Sequence, residues 1–259
     1  MERKYSPPKI ARSRWAPRGI AAGVGFVGLV TLLMVVAPFA GASTPKTWAP
    51  PYKGFTSTTS NSLYSYGCTA YAHESAVPAW SATTGTFSMA GKISAGRCIS
   101  GFSYASIYGQ TIITSPTFYR THSGYTWLYI SWNLAVVAKA ALSVSSGTGN
   151  GNFSYANASV LGSVYAYIVD VTNGSYLSGA SATLFGASFT STGHYLLSTT
   201  ASTSYLYLWG ALQKGHQYQV LLYLDAGVTI YFYNVSATAS ASLNLAGTHG
   251  LTLTGITLY

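Results

Sequence analysis

Apolar and polar positions along this chain alternate with a period of two over most of its length. The longest run covers residues 126–144. Leu128, Ile130, Trp132, Leu134, Val136, Ala138, Ala140 and Leu142 fall on one side, and Trp127, Tyr129, Ser131, Asn133, Lys139 and Ser143 on the other. Successive side chains of a strand point to opposite faces, so the run predicts one long strand, or two joined at a bend, with one face in a core. Residues 163–171 alternate in the same way and lead into Thr172-Asn173-Gly174-Ser175. Asn-Gly between apolar runs predicts a hairpin, because both turn residues tolerate positive φ.

Further strands are expected at residues 86–93, 100–113, 181–189, 204–212, 218–224, 228–235 and 251–259. Turns are expected at Asp225-Ala226-Gly227 and in the glycine-rich stretch 147–151. Ser, Thr, Tyr and Val dominate these segments, and no 3.6-residue period appears after residue 43, which favours pleated structure over helix. About nine strands with short polar turns and no intervening helices predict an all-β fold. The expected form is an antiparallel two-sheet sandwich, jelly-roll-like, over residues 63–259. Two smaller sandwiches divided near 147–151 satisfy the same pattern. Residues 43–62 are rich in Pro, Ser and Thr without an apolar period and are expected to be a linker. Residues 1–42 hold one N-terminal hydrophobic helix.

Charge changes the picture of that first segment. Residues 1–18 carry Arg3, Lys4, Lys9, Arg12, Arg14 and Arg18 against Glu2, and residues 20–42 carry no charge. A basic start, an apolar run and Ala40-Gly41-Ala42 predict a secretory signal cleaved before Ser43. Uncleaved, the run is long enough to anchor the chain in a membrane with its basic end in the cytoplasm. Gly19 and Gly23 would then form a GxxxG pair. Arg18-Gly19-Ile20 ahead of the apolar run also resembles the processing site of archaeal pilin and archaellin precursors over residues 16–37. That resemblance implies an apolar helix retained as a filament core. Pro38, Pro45, Pro50 and Pro51 depart from it, because they would stop the helix early. Each alternative places the remainder of the chain outside the cell, at the cell surface or free of it, with residues 20–42 as the membrane anchor if retained.

Charged residues make up only 7% of the chain, against about a quarter in ordinary soluble proteins. The seven cations after residue 42 (Lys46, Lys53, Lys92, Arg97, Arg120, Lys139 and Lys214) do not cluster. A nucleic-acid footprint needs a basic stripe that neutralises several phosphates at once, so nucleic acid is not an expected partner. Cys68 and Cys98 are the chain's two cysteines. In an oxidising compartment they predict one disulfide, and closing ~30 residues would stabilise the fold by roughly 3–4 kcal/mol; two buried thiols are the alternative. Asn152, Asn157, Asn173 and Asn234 each begin an Asn-x-Ser sequon and are candidate glycosylation sites.

Motifs of catalysis do not complete themselves. His73-Glu74 begins an HExxH, but Val77 stands where the second histidine should be. The GxGxxG at residues 23–28 lies inside the hydrophobic segment with no strand before it. The five histidines are scattered, and no metal or cofactor motif is present. Paired-carboxylate hydrolysis needs two acids at a set separation, and only Glu74, Asp170 and Asp225 follow the N-terminal segment. Asp170 and Asp225 are expected at turns, and Glu74 in a loop over residues 70–80. A secreted acid hydrolase centred on Glu74 is therefore the least supported reading.

Aromatic residues point elsewhere. Tyr205, Tyr207 and Trp209 share one strand face, and Tyr165 with Tyr167 and Tyr231 with Tyr233 repeat the pattern. An open row of this kind stacks on sugar rings or buries itself against a neighbouring subunit. The expected protein is an exported, non-catalytic structural or adhesive component of the cell surface. Self-association would proceed through residues 56–62 or 251–259 added to a neighbour's sheet. The alternative is a carbohydrate-binding module that uses the Tyr205, Tyr207 and Trp209 platform on surface glycans.

The scarcity of carboxylates carries a prediction. Acid unfolds proteins largely by protonating carboxylates that are paired in the native state, and this chain has few to protonate. Thermal unfolding midpoints at pH 2 and pH 7 should lie close together; a large loss at pH 2 would remove the inference of an acidic external medium.

Overall fold

A computed structural model describes residues 45–67, 69–96, 98–145 and 154–259, with the side chains of 98–100 and 199–204 left undescribed. The described residues form thirteen strands: β1 (Lys46–Trp48), β2 (Thr56–Gly67), β3 (Tyr71–Ser81), β4 (Thr86–Ala95), β5 (Cys98–Thr114), β6 (Phe118–Tyr119), β7 (Gly124–Val144), β8 (Tyr155–Asp170), β9 (Ser175–Phe189), β10 (Gly193–Leu212), β11 (Gln217–Val235), β12 (Ala237–Asn244) and β13 (Gly250–Leu258). They make two sheets, every pairing antiparallel.

The first sheet has seven strands. β7 is its long axis: β10 pairs along one side, and β12 and β13 follow each other end to end along the other. β4 then spans the β12–β13 junction and carries β3, while β1 flanks β13. The second sheet has six strands in the order β2-β5-β11-β8-β9, with β6 continuing along β11 beyond the end of β5. The even-numbered side chains of β7, β8 and β11 point between the sheets. They include Trp132, Ile168, Tyr218 and Phe232 in one buried cluster with Phe87, Met89 and Ile107. Removing that apolar surface from water is the main force that holds the sheets face to face.

The alternation read over residues 126–144 is a single strand, buried at every even position from Thr126 to Leu142. The division into two sandwiches near residue 147 does not occur. β5 pairs with β11 and β4 with β12, so strands from before and after that point interleave in both sheets.

Asp225-Ala226-Gly227 is not a turn either. β11 runs through it, with Asp225 opposite Gln110 on one side and Ser163 on the other. Its composition resembles a turn because a carboxylate and a glycine occupy the exposed side of a central strand. Residues 70–80, expected as a loop, form β3; it pairs only with β4 and its ladder is broken by two irregularities, which blurs the period.

Of the expected linker at 43–62, the described residues 45–62 also belong to the sandwich. β2 hydrogen-bonds along β5 from Thr56 to Gly67, and Tyr52 is buried with its hydroxyl donating to the Leu253 carbonyl at 3.0 Å. An edge strand exposed on both faces needs no apolar side, so its sequence carries no alternation. Residues 251–259 were the other candidate for addition to a neighbour. They belong instead to β13, inside the first sheet, with Leu251, Leu253, Ile256 and Leu258 buried.

Residues 1–44, which hold the signal, anchor and processing-site readings, lie outside the described residues, as do Cys68 and Asn152. Cys98 begins β5 opposite Val235, its side chain undescribed. Among the described residues no helix is long and apolar enough to cross a membrane.

The predicted Asn-Gly hairpin joins β8 to β9, with Gly174 at φ 66°. Asp170 closes it. The buried carboxylate accepts from the backbone N–H groups of Thr172 and Asn173 and from Asn173 Nδ2, and its Oδ2 lies 2.7 Å from His216 Nδ1. Burial pushes this carboxyl upward, but the bonds from His216, Asn173 and Thr172 outweigh burial and hold it below its ordinary value. Such a group contributes stability above the ordinary carboxylate range and loses it as pH falls through the folded value. Asp170→Asn should therefore cost about 1–3 kcal/mol in urea unfolding at pH 7, and the penalty should shrink as the pH is lowered from 4 toward 2.

Candidate functional site

The odd-numbered residues of β7 and, beyond the bulge between Thr199 and Ser202, of β10 face outward from the first sheet, and the register between these strands decides which of them meet. Trp209 lies opposite Trp127, Tyr207 opposite Tyr129, and Ala211 opposite Tyr125. Residues two apart along a strand are about 6.7 Å apart and neighbouring strands about 4.8 Å, so the rings form an array of two rows. Ring centroids are 5.6 Å apart for Tyr125 and Trp209, 5.9 Å for Tyr129 and Tyr205, and 5.1 Å for both Tyr129–Tyr207 and Tyr205–Tyr207. Tyr259 borders the array, its N–H donating to the Trp127 carbonyl at 2.9 Å.

The array is open. Trp127 and Trp209 are each 55% exposed and Tyr125 72%. Partial burial among the rings, and then the neighbouring phenols of Tyr205, Tyr129 and Tyr259, hold the Tyr207 phenol above its ordinary value. Such a surface offers flat apolar faces for stacking and hydroxyls that both donate and accept hydrogen bonds.

Tyr205, Tyr207 and Trp209 thus share one strand face, as the sequence pattern predicts, and the structure leaves that face open. What the pattern left unjoined was the second row: Tyr125, Trp127 and Tyr129 stood on the polar side of β7, and only the strand pairing brings them alongside β10. The same face of the sheet also bears Lys92 and Lys139, both opposite Ser242 on either side of β12, in a shallow basin of about 340 Å³ with Tyr71 and Ser240.

The three carboxylates do not combine. Glu74 accepts from Asn61 Nδ2 at 3.1 and 3.3 Å, Asp225 accepts from Gln110 Nε2 at 3.0 Å, and Asp170 is held by His216 and its hairpin; no two share a partner. Among the described residues no three His, Cys, Asp or Glu side chains gather where they could hold a metal ion.

The described sequons differ in setting. Asn173 is exposed at the hairpin tip. Asn157 lies mid-strand in β8, its Nδ2 donating to Ser188 Oγ at 2.8 Å. Asn234 takes φ 46° and accepts from the Gly101 N–H at 2.9 Å.

No family model matches the chain, and no curated protein is similar to it.

Proposed function

We propose that this chain is an exported, non-catalytic structural or adhesive protein of the cell surface, built on a jelly-roll-like sandwich. The observation that carries the reading is the open aromatic array on the first sheet, where two indoles and several phenols lie in solvent on a regular, flat face. Monomeric soluble proteins rarely leave apolar patches of this kind uncovered, and their usual meaning is an interaction surface. Tyr and Trp suit it because they supply large contact area with little side-chain entropy to lose.

Export agrees with the basic and apolar N-terminal segment, the low charge and the sequons. Among the described sequons, Asn173 is the most accessible acceptor. A Cys68–Cys98 disulfide would suit the same compartment.

Self-association has a plausible physical route in β2. This twelve-residue strand is exposed along nearly its whole length and is held to β5 by its backbone. A strand that buries almost no side chains loses little when it pairs with another copy's β5 instead, which is the condition for exchange between protomers. Fractionation of the chain's own cells, with mass spectrometry of its N-terminus, should find it outside the cytoplasm, beginning at Ser43 if cleaved as a signal, at Gly19 or Ile20 if processed like a pilin, and at Met1 if anchored. An intact cytoplasmic chain that stays monomeric at high concentration would overturn the reading.

A second reading, carbohydrate binding, is favoured by the cross-strand pair Trp127–Trp209, since two adjacent exposed indoles suit the apolar faces of sugar rings. On a glycan array, binding should be lost with Trp209→Ala while the unfolding midpoint stays within about 0.5 kcal/mol of the parent's stability, as for other exposed positions. Retained binding would remove this reading and leave assembly.

A further inference from the structure

The outer face of the second sheet holds a different kind of site. Tyr165, Tyr167, Tyr176, Tyr223 and Asp225 line an open depression of about 400 Å³ over β8, β9 and β11. Its rings stand as walls: Tyr167 meets Tyr176 at 77° with centroids 5.3 Å apart, and Tyr223 at 86° and 5.8 Å. Burial first, and then the neighbouring Tyr176 phenol, hold the Tyr223 phenol above its ordinary value.

The backbone makes room for this arrangement. Gly179 is paired with Tyr167, and a Cβ there would come within 2.7 Å of the Tyr167 ring. Gly227 plays the same part for Tyr108, whose ring would lie 3.2 Å from a Cβ at that position. Two strand glycines thus leave room for two phenol rings on this face.

Asp225 is held in place by neutral groups. Gln110 Nε2 donates to its Oδ1 at 3.0 Å and also to the Tyr108 hydroxyl at 3.2 Å, which brings the phenol close to the carboxylate. Burial first, and then the Asp225 charge, push the Tyr108 phenol up to about 12. The neutral Gln110 amide orients the carboxylate without neutralising it. The result is a negative charge at the base of an aromatic box, in a chain where charged residues of any kind are scarce. Tyrosine faces carry negative potential and attract cations, and desolvated aromatic boxes are the usual hosts for alkylated ammonium groups.

We infer that the Asp225 box binds an organic ammonium ion, with the carboxylate supplying the countercharge and Tyr165, Tyr167, Tyr176 and Tyr223 the enclosing faces. The cation has two possible sources with the same chemistry: a free quaternary or alkylated amine, or a lysine side chain of another copy, such as the exposed Lys92 or Lys139 on the opposite sheet.

Titration calorimetry of the purified full-length chain tests the site with three probes: choline, butylammonium and the uncharged carbon analogue of choline. Saturable millimolar binding of a cationic probe, at least about tenfold tighter than the uncharged analogue, is expected. Asp225→Asn should weaken it by about tenfold, and Tyr176→Ala, at an exposed position near the hairpin, by several-fold, with unfolding midpoints unchanged. Tighter choline binding assigns the box to a quaternary ligand; tighter butylammonium binding assigns it to a lysine. Equal affinity for charged and uncharged probes, or full affinity in a folded Asp225→Asn or Tyr176→Ala variant, overturns the inference.

Discussion

Burial of one face of each sheet is the constraint on which the rest of this protein depends. β7, β8 and β11 place an apolar residue at nearly every even position along 21, 16 and 19 residues, and all of them point between the sheets. Because the side-chain period is two, a slip of one residue in any pairing would turn a whole apolar set outward. Register is therefore strongly specified at the centre of both sheets. The aromatic array on the first sheet inherits that precision: Trp127 meets Trp209 because Leu128 and Leu208 must both face inward.

The outer faces solve a different problem. Long flat sheets must be kept soluble, and most proteins do so with Lys, Glu, Asp and Arg. This chain uses Ser, Thr and Tyr instead. A tyrosine covers the pleated surface with its ring and keeps its hydroxyl in water, without a charge whose state depends on pH. Among the described residues each carboxylate side chain is tied to named donors: Asn61 holds Glu74, the hairpin and His216 hold Asp170, and Gln110 holds Asp225. Acid therefore acts on few groups, and at Asp170 it removes stability as the pH falls; the same economy of charge leaves aromatic surfaces open on both sides of the sandwich.

Edges divide the molecule into firm and exchangeable parts. β13 follows β12 along β7 and is locked by Leu251, Leu253, Ile256 and Leu258. β2 at the border of the second sheet contributes backbone hydrogen bonds and almost no buried side chain. Local stability tracks buried contacts, so β2 is the element that can change partners at least cost. It lies directly after the proline-rich segment that opens the described chain.

The sequence by itself determined the fold class, the long central strand, the Asn173-Gly174 hairpin and the shared face of Tyr205, Tyr207 and Trp209. All of these follow from local periodicity or local backbone preference. It left unseen β1, β2 and β3, whose exposed or irregular positions carry no apolar period, the two-residue β6, and β12, whose buried positions are mostly alanine; it also misplaced a turn at Asp225, where a polar side chain and a glycine sit on the outward side of a central strand. Only the tertiary structure decided which rows of aromatics lie side by side, because cross-strand neighbours are set by register between segments some 80 residues apart in the chain. The Asp225 box is of that kind: its members come from β8, β9 and β11, with Gln110 and Tyr108 from β5 behind the carboxylate, and no spacing along the chain brings them together before the sheet forms.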